Sequence, residues 1–223
     1  MKAASGANPR SQAFGYVCRH CSRCCHHYDV QVNPYEVARL ARRIGTTTTA
    51  FRATSTRDGA GTALKRTDAG ACVFLGTAGC TVYADRPLVC RLYPLGRRLT
   101  PEGAESFVQF EGLPQSAGEF TNTGTIEGFL ESQGVAPFIE AADEYYHWVL
   151  RAHDSVGPDA SLGPSDDPAE TGATAADLID MDTAIARHCA ATGAVEPTEI
   201  ADRKQLHLTL LYEKLANCER RKT

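Results

Sequence analysis

Between residues 18 and 25 the chain reads CRHCSRCC, four thiols in eight residues with two histidines directly behind them. Thiolates bind soft or borderline metals, and two cysteines separated by two residues turn both sulfurs toward one ion around a tight loop. Cys18, Cys21 and Cys24 follow C-x2-C-x2-C, with Cys25 adjoining. Zinc sites usually take a C-x2-C pair from each of two separated segments. Three thiols at successive three-residue steps, with a fourth supplied from far away, have the form of a [4Fe-4S] ligand run. The spacing therefore favours an iron-sulfur centre over zinc. Adjacent Cys24 and Cys25 would be strained on one small ion, so the two are expected to face different partners.

Nine cysteines, an odd number at tight local spacing, point to metal ligation or thiol chemistry rather than to a disulfide framework. At 223 residues, 43% apolar and 22% charged, the chain can bury a real core without disulfide staples. That length suits one ordinary domain, or a compact domain with a smaller helical appendage. The opening MKAASGANPRSQAFGYV lacks the apolar run of a signal peptide. No apolar segment reaches membrane-spanning length; stretches such as CVFLGTAGCTVYA are broken by Gly and Thr. A soluble, cytoplasmic protein without a membrane partner is expected. The formal charge of −4 gives no electrostatic footprint for nucleic acid.

In NPYEVARLARRIG, Asn33 is set to cap a helix, Pro34 to take its first position and Glu36 to close a capping box, with Gly45 as the stop. Val37, Leu40, Ala41 and Ile44 form its inward face, and Arg39, Arg42 and Arg43 its solvated one. Residues 46–70, rich in Thr, Gly and Arg, read as a loop or short strands. ACVFLGTAGCTVYADRPLVCRLYPLGRR mixes β-branched and aromatic residues with Gly and Pro, which predicts short strands and tight turns. SFVQFEG reads as a further strand, and TIEGFLESQG as a helix ending at Gly134. In APFIEAADEYYHWVLRAH, Phe138, Ala142, Tyr145 and Val149 make one stripe of an amphipathic helix. SVGPDASLGPSDDPAETGATAA is acidic and Gly/Pro/Ser-rich, the composition of a linker or long surface loop. Two helices, AADLIDMDTAIARHCAATG and PTEIADRKQLHLTLLYEKLANCERR, the second with Pro197 near its start, are expected to dock as a pair.

Cys72, Cys80 and Cys90 lie in the turn-rich segment, and spacing alone leaves their role open. CRHCSRCC together with CVFLGTAGCTVYADRPLVCRLYP resembles the YkgJ-type cysteine-cluster family, described as zinc- or iron-chelating. Its pattern is a CxxCxxCC run followed by C-x-F-L, C-x-x-Y, R-P and C-R-x-Y-P, and each element is present over about residues 14–98. The pattern often has Gly inside the first run, where this chain has Ser22 and Arg23. The resemblance implies a metal centre built by Cys18, Cys21, Cys24, Cys25, Cys72, Cys80 and Cys90, with no settled activity for most members. The same module occurs in bacterial flagellin lysine methylases, where an iron-sulfur cluster is reported. Methylation does not carry across: those proteins have much longer chains outside the module, and there is no glycine-rich nucleotide loop here for S-adenosylmethionine.

Seven thiols exceed the four that one cluster or one zinc needs, so a binuclear site, a second ion and spare redox-active thiols all stay open. Arg86 and Arg91 flank Cys90. Guanidinium groups beside an anionic thiolate site stabilise it and tune an iron cluster, so these two are the cofactor-binding candidates, against surface or packing roles. His20, His26 and His27 are near enough in sequence to ligate but compete with seven thiols. Asp29, Glu36 and Asp85 read as caps and turn residues. Tyr145, Tyr146 and Trp148 read as core and rim of their helix, and Cys189 and Cys218 as small hydrophobes.

The expectation is an α+β protein. A cysteine-cluster module over 1–110 is followed by a helical extension (111–154), a flexible acidic linker (155–177) and a C-terminal helical pair (178–223). Its function is to bind an iron-sulfur or zinc centre. The alternatives are an iron-sulfur redox or modifying enzyme, a structural zinc scaffold and a metal-delivery protein. No catalytic triad, phosphate loop or paired-carboxylate signature names a reaction, so enzyme status, oligomeric state and any protein partner stay open.

Overall fold

The computed structural model describes residues 7–57, 62–156 and 179–220. They divide into two compact units, each discontinuous in sequence. The first takes the described residues of Met1–Gln31 and Leu64–Ile139, the second those of Val32–Ala63 and Glu140–Thr223. The chain leaves the first unit after Gln31 and returns to it at Leu64.

The first unit is made of antiparallel strand pairs and short helices. Strand β1 (Ala13–Val17) pairs with β6 (Glu119–Thr125) through Tyr16 opposite Phe120, with a register shift between Ala13 and Gly15. Strands β2 (Leu75–Gly76) and β3 (Gly79–Cys80) form a minimal hairpin. Strand β4 (Leu95–Leu99) pairs with β5 (Glu105–Gln109), the expected SFVQFEG strand. Helix α5 (Ile126–Ser132) starts where the Thr125 hydroxyl accepts from the Gly128 N–H. Its Ile126, Phe129 and Leu130 pack with Phe14, Leu92, Leu95 and Phe107 into one apolar core. Each such side chain contributes about 1.5–3 kcal/mol by leaving water. The short helix α1 (Arg23–His27) and α4 (Leu88–Leu92) carry thiols and are taken up below.

The second unit is helical. Helix α2 (Pro34–Arg43) has the expected capping box: the Glu36 N–H donates to Asn33 Oδ1 at 3.0 Å and the Asn33 N–H to Glu36 Oε2 at 2.9 Å. It ends before Gly45, whose φ of 71° is left-handed backbone that glycine enters without steric cost. Val37, Leu40 and Ala41 are buried, whereas Ile44 is exposed. Residues 46–70 are not only loop. They contain helix α3 (Thr48–Ser55), begun by the Thr47 hydroxyl accepting from the Ala50 N–H. Here tertiary burial overrides weak helix propensity: Phe51 is fully buried.

Helix α6 (Ala136–Val156) begins in the first unit and runs into the second. Its buried stripe is Phe138, Ala141, Tyr145 and Trp148, not the predicted one, since Ala142 is half-buried and Val149 exposed. Helices α7 (Met181–Thr192) and α8 (Ile200–Arg220) pack together, as expected, and against α2. Cys189 is a small core residue among Ala38, Met181 and Ile185. The predicted acidic linker falls largely outside the described residues. The architecture is α+β, and among the described residues no helix is long and apolar enough to cross a membrane.

Candidate metal centre

Each thiol is delivered by a different local device. Strand β1 ends at Val17 and hands the chain to Cys18. His20 and Ser22 then take left-handed backbone, φ 54° and 60°, which curls the run tightly before α1 presents Cys24 and Cys25. The Cys72 N–H donates to the Cys25 carbonyl at 2.8 Å. Arg66, bridged to Cys72 across an antiparallel contact, locks this junction. Its guanidinium donates to the carbonyls of Tyr28 (2.7 Å), His26 (2.6 Å) and Gly70. Cys80 sits in β3 opposite Leu75. Cys90 sits in α4, a helix that Pro87 introduces.

These segments surround one cavity of about 280 Å³. All seven candidate thiols and Arg86 line it, together with His20, Ser116 and Gln133. Much of the remaining wall is aromatic. Tyr16 and Tyr28 both pack on Tyr93, with ring centroids 5.7 and 5.5 Å away, and Phe110 and Phe129 complete that side. The thiols are graded in exposure: Cys72 is buried, Cys24, Cys25, Cys80 and Cys90 are half-buried, and Cys18 and Cys21 are exposed.

Backbone donors point at the sulfurs in a repeated arrangement. Cys21 accepts from the Arg23 N–H, Cys72 from the Phe74 N–H and Cys80 from the Val82 N–H, each two residues on. Such bonds favour the anionic form of sulfur. At Cys21 the N–H groups of Arg23 and Ala117 outweigh burial and hold the thiol below its ordinary range. At Cys72 and Cys80 burial dominates and pushes the thiol up. Cys24 is lowered to about 7, first because the Cys25 thiol donates to its sulfur; Cys25 is pushed far up by the same bond and by burial. Burial also raises Tyr16 and Tyr28 to about 12, so both phenols stay neutral donors.

The two arginines part company. Arg86 lines the cavity, lies over the Tyr83 ring at 4.0 Å and donates to Gln133 Oε1 at 2.8 Å; its charge favours the Cys80 thiolate. Arg91 is buried and does not line the cavity. Its guanidinium donates to the carbonyls of Arg86 (2.9 Å), Gln133 (2.8 Å) and Ala84 (2.5 Å) and stacks on Phe138 at 4.1 Å. It thereby ties the Cys90 helix to the turn before α6. Of the histidines, His20 lines the cavity, against the Tyr83 ring, and His26 and His27 do not. Sequence reasoning missed Arg66, Ser116 and the tyrosines, which carry no spacing signal; only the aromatic residues flanking the thiol segments hinted at a wall.

Soft sulfur donors from three chain segments suit zinc or an iron-sulfur centre rather than calcium or magnesium. Among the described residues, no three His, Cys, Asp or Glu side chains form a group able to hold a metal ion.

No curated protein and no solved structure matches the chain. Residues 17–111 match the model of the CxxCxxCC family, described as a putative zinc- or iron-chelating domain, and that span takes in every thiol of the cavity.

Proposed function

We propose that the cavity holds a cysteine-ligated metal centre, an iron-sulfur cluster of the [4Fe-4S] kind ahead of zinc, with Cys18, Cys21, Cys24, Cys25, Cys72, Cys80 and Cys90 as the ligand set. The carrying observation is that seven thiols line one cavity of about 280 Å³. Seven thiols are more than the four that a single zinc takes, and thiolates are the ligands of iron-sulfur clusters. When bound, a cluster of this kind supplies one-electron transfer.

The chain's own groups suit such a guest. N–H donors to Cys21, Cys72 and Cys80 stabilise anionic sulfur. Arg86 offsets part of the thiolate charge, Arg91 holds the Cys90 helix in position, and the tyrosine wall limits water. A reducing cytoplasm would keep these thiols free for metal. Exposed Cys18 and Cys21 favour a second reading, a zinc- or iron-delivery protein, because a partner reaches those sulfurs first.

Anaerobic purification followed by iron, zinc and sulfide analysis and a visible spectrum of the same sample tests the reading. Roughly four irons with matching sulfide and broad absorption near 400 nm are expected. Zinc without sulfide would overturn the cluster and leave the delivery or structural reading; neither metal would overturn both.

A further inference from the structure

The loop after β5 reaches the thiol run from outside the family-matched segment, which ends at residue 111. Ser116 Oγ stands 3.8 Å from Cys21 Sγ, and the Ala117 N–H donates to the same sulfur. The loop is anchored at both ends. The Leu113 N–H donates to the Tyr93 hydroxyl at 3.3 Å, and the Ser116 N–H closes a turn onto the Leu113 carbonyl at 2.9 Å. Gln115 takes left-handed backbone, φ 61°. At the far end Gly118 lets Tyr16 lie against the backbone: a Cβ there would fall 1.8 Å from the tyrosine oxygen.

The hydroxyl of Ser116 has one hydrogen and two acceptor sites. The Gly118 N–H donates to it at 3.3 Å, and the Tyr16 hydroxyl is a further hydrogen-bond partner. The Ser116 hydroxyl thus reaches both the Cys21 sulfur, at 3.8 Å, and the Tyr16 hydroxyl, and favours the anionic form of each. Cys21 is also one of the two exposed thiols of the cavity, in contrast to buried Cys72, so exchange with an outside chelator or acceptor starts at this edge.

We propose that the Leu113–Gly118 loop is a latch on the exposed edge of the metal centre, with Ser116 and the Ala117 N–H holding the Cys21 sulfur and slowing the release of metal. This rests on the metal centre proposed above. Ser116 is here a positioning residue: it touches the ligand, not the metal.

The test uses the full chain purified anaerobically with the iron or zinc it acquires, mixed with excess chelator, EDTA for zinc or bathophenanthroline for iron. Ser116→Ala is expected to release metal about three- to ten-fold faster than wild type, the effect of one lost hydrogen bond, at unchanged metal content. Ser116→Thr, which keeps the hydroxyl, restores the slow rate. Gly118→Ala, which drives Tyr16 off the loop, accelerates release as well. Deuterium exchange at the Ala117 amide slows on metal loading in the wild type. Equal release rates for Ser116→Ala and wild type, or an Ala117 amide indifferent to metal, would overturn the latch while leaving the centre standing. A wild-type chain that acquires neither iron nor zinc would overturn the centre, and the latch with it.

Discussion

The N–H of Cys72 donates to the carbonyl of Cys25 at 2.8 Å, so the last thiol of the N-terminal run and the first of the downstream set are joined through backbone. Thiols brought to one cavity from distant segments need such a seam, because it offsets part of the loop-closure entropy.

Arg66 secures that seam, and its removal measures what the seam contributes. Three carbonyls, of His26, Tyr28 and Gly70, accept from its guanidinium. Hydrogen bonds to a charged group are worth about 1.5–3 kcal/mol each when well shielded, less at a site partly open to solvent. Arg66→Ala is expected to cost about 2–4 kcal/mol and lower the melting temperature by roughly 5–10 °C. Arg66→Lys recovers only part, since an ammonium lacks the planar fork that spans several carbonyls. Calorimetry of the three proteins decides; a melting temperature for Arg66→Ala within about 1 °C of wild type would mean the seam holds without it.

The adjacent thiols Cys24 and Cys25 make a pH prediction for protein stripped of metal. The Cys25 thiol donates to the Cys24 sulfur, which lowers Cys24 to about 7 and pushes Cys25 up. The reactive thiolate of Cys24 therefore grows in as pH rises through about 7, while Cys25 stays protonated. Alkylation mapped by peptide mass spectrometry is expected to reach half its maximal rate at Cys24 near that pH, with Cys25 unmodified. Cys25→Ala removes the donor and moves the Cys24 midpoint up toward the ordinary value of 9.0; Cys25→Ser keeps a donor and leaves it low. An unchanged midpoint in Cys25→Ala contradicts the assignment. Metal binding displaces such protons, so apparent affinity should weaken as pH falls below about 7.

What could be read beforehand divides along local against non-local lines. Asn33, Pro34 and Glu36 settle the start of α2 among themselves, so four residues of sequence suffice. Cys18, Cys21, Cys24 and Cys25 were marked by their spacing and Cys72, Cys80 and Cys90 by the family resemblance, and the seven do line one cavity. Helix α3 escaped because Thr48, Thr49 and Thr54 do not favour a helix by themselves; buried Phe51 and the bonds from Thr48 to Asp180 and Asp182 do. The stripe of α6 was displaced by one residue at two of its four positions, because Ala141 and Trp148 are buried where Ala142 is half-buried and Val149 exposed. Period alone does not separate neighbours on a helix rim. The donors at Ala117 and Arg23 were invisible for another reason, since a backbone N–H has no residue type.

Ser22 carries the one departure from the family pattern that the structure explains. Its φ of 60° and ψ of 10° are left-handed, and its side chain makes no cap bond to α1. A residue with a Cβ costs about 1–2 kcal/mol there, which glycine avoids at the expense of extra unfolded-state entropy. Ser22→Gly is expected to raise stability by about 0.5 kcal/mol, and a β-branched Ser22→Val to lower it by about 2 kcal/mol. Urea titrations of the two variants check the sign of each. A destabilised Ser22→Gly would mean that the hydroxyl has a partner of its own.

In the second unit, Asp180 links stability to acid. Burial by itself would push its carboxyl up, but the Thr48 hydroxyl at 2.7 Å, the Thr183 N–H at 3.3 Å and the Arg52 guanidinium at 3.3 Å together outweigh burial and hold it below the usual carboxylate range. A folded-state value below the unfolded one, about 3.9, means that the charged form stabilises the fold. That contribution is complete above the unfolded value and is lost as pH falls through the folded one. Asp180→Asn breaks a buried ion pair at one end and is expected to cost about 3–5 kcal/mol at neutral pH. The difference from wild type should shrink below about pH 4, where the wild-type carboxyl begins to lose its charge advantage. Urea unfolding of both proteins at pH 7 and near pH 3 reads this directly. A gap of equal size at the two pH values would assign the acid sensitivity to other carboxylates, of which Glu105, held low between Arg10 and Arg97 in the first unit, is the next to replace.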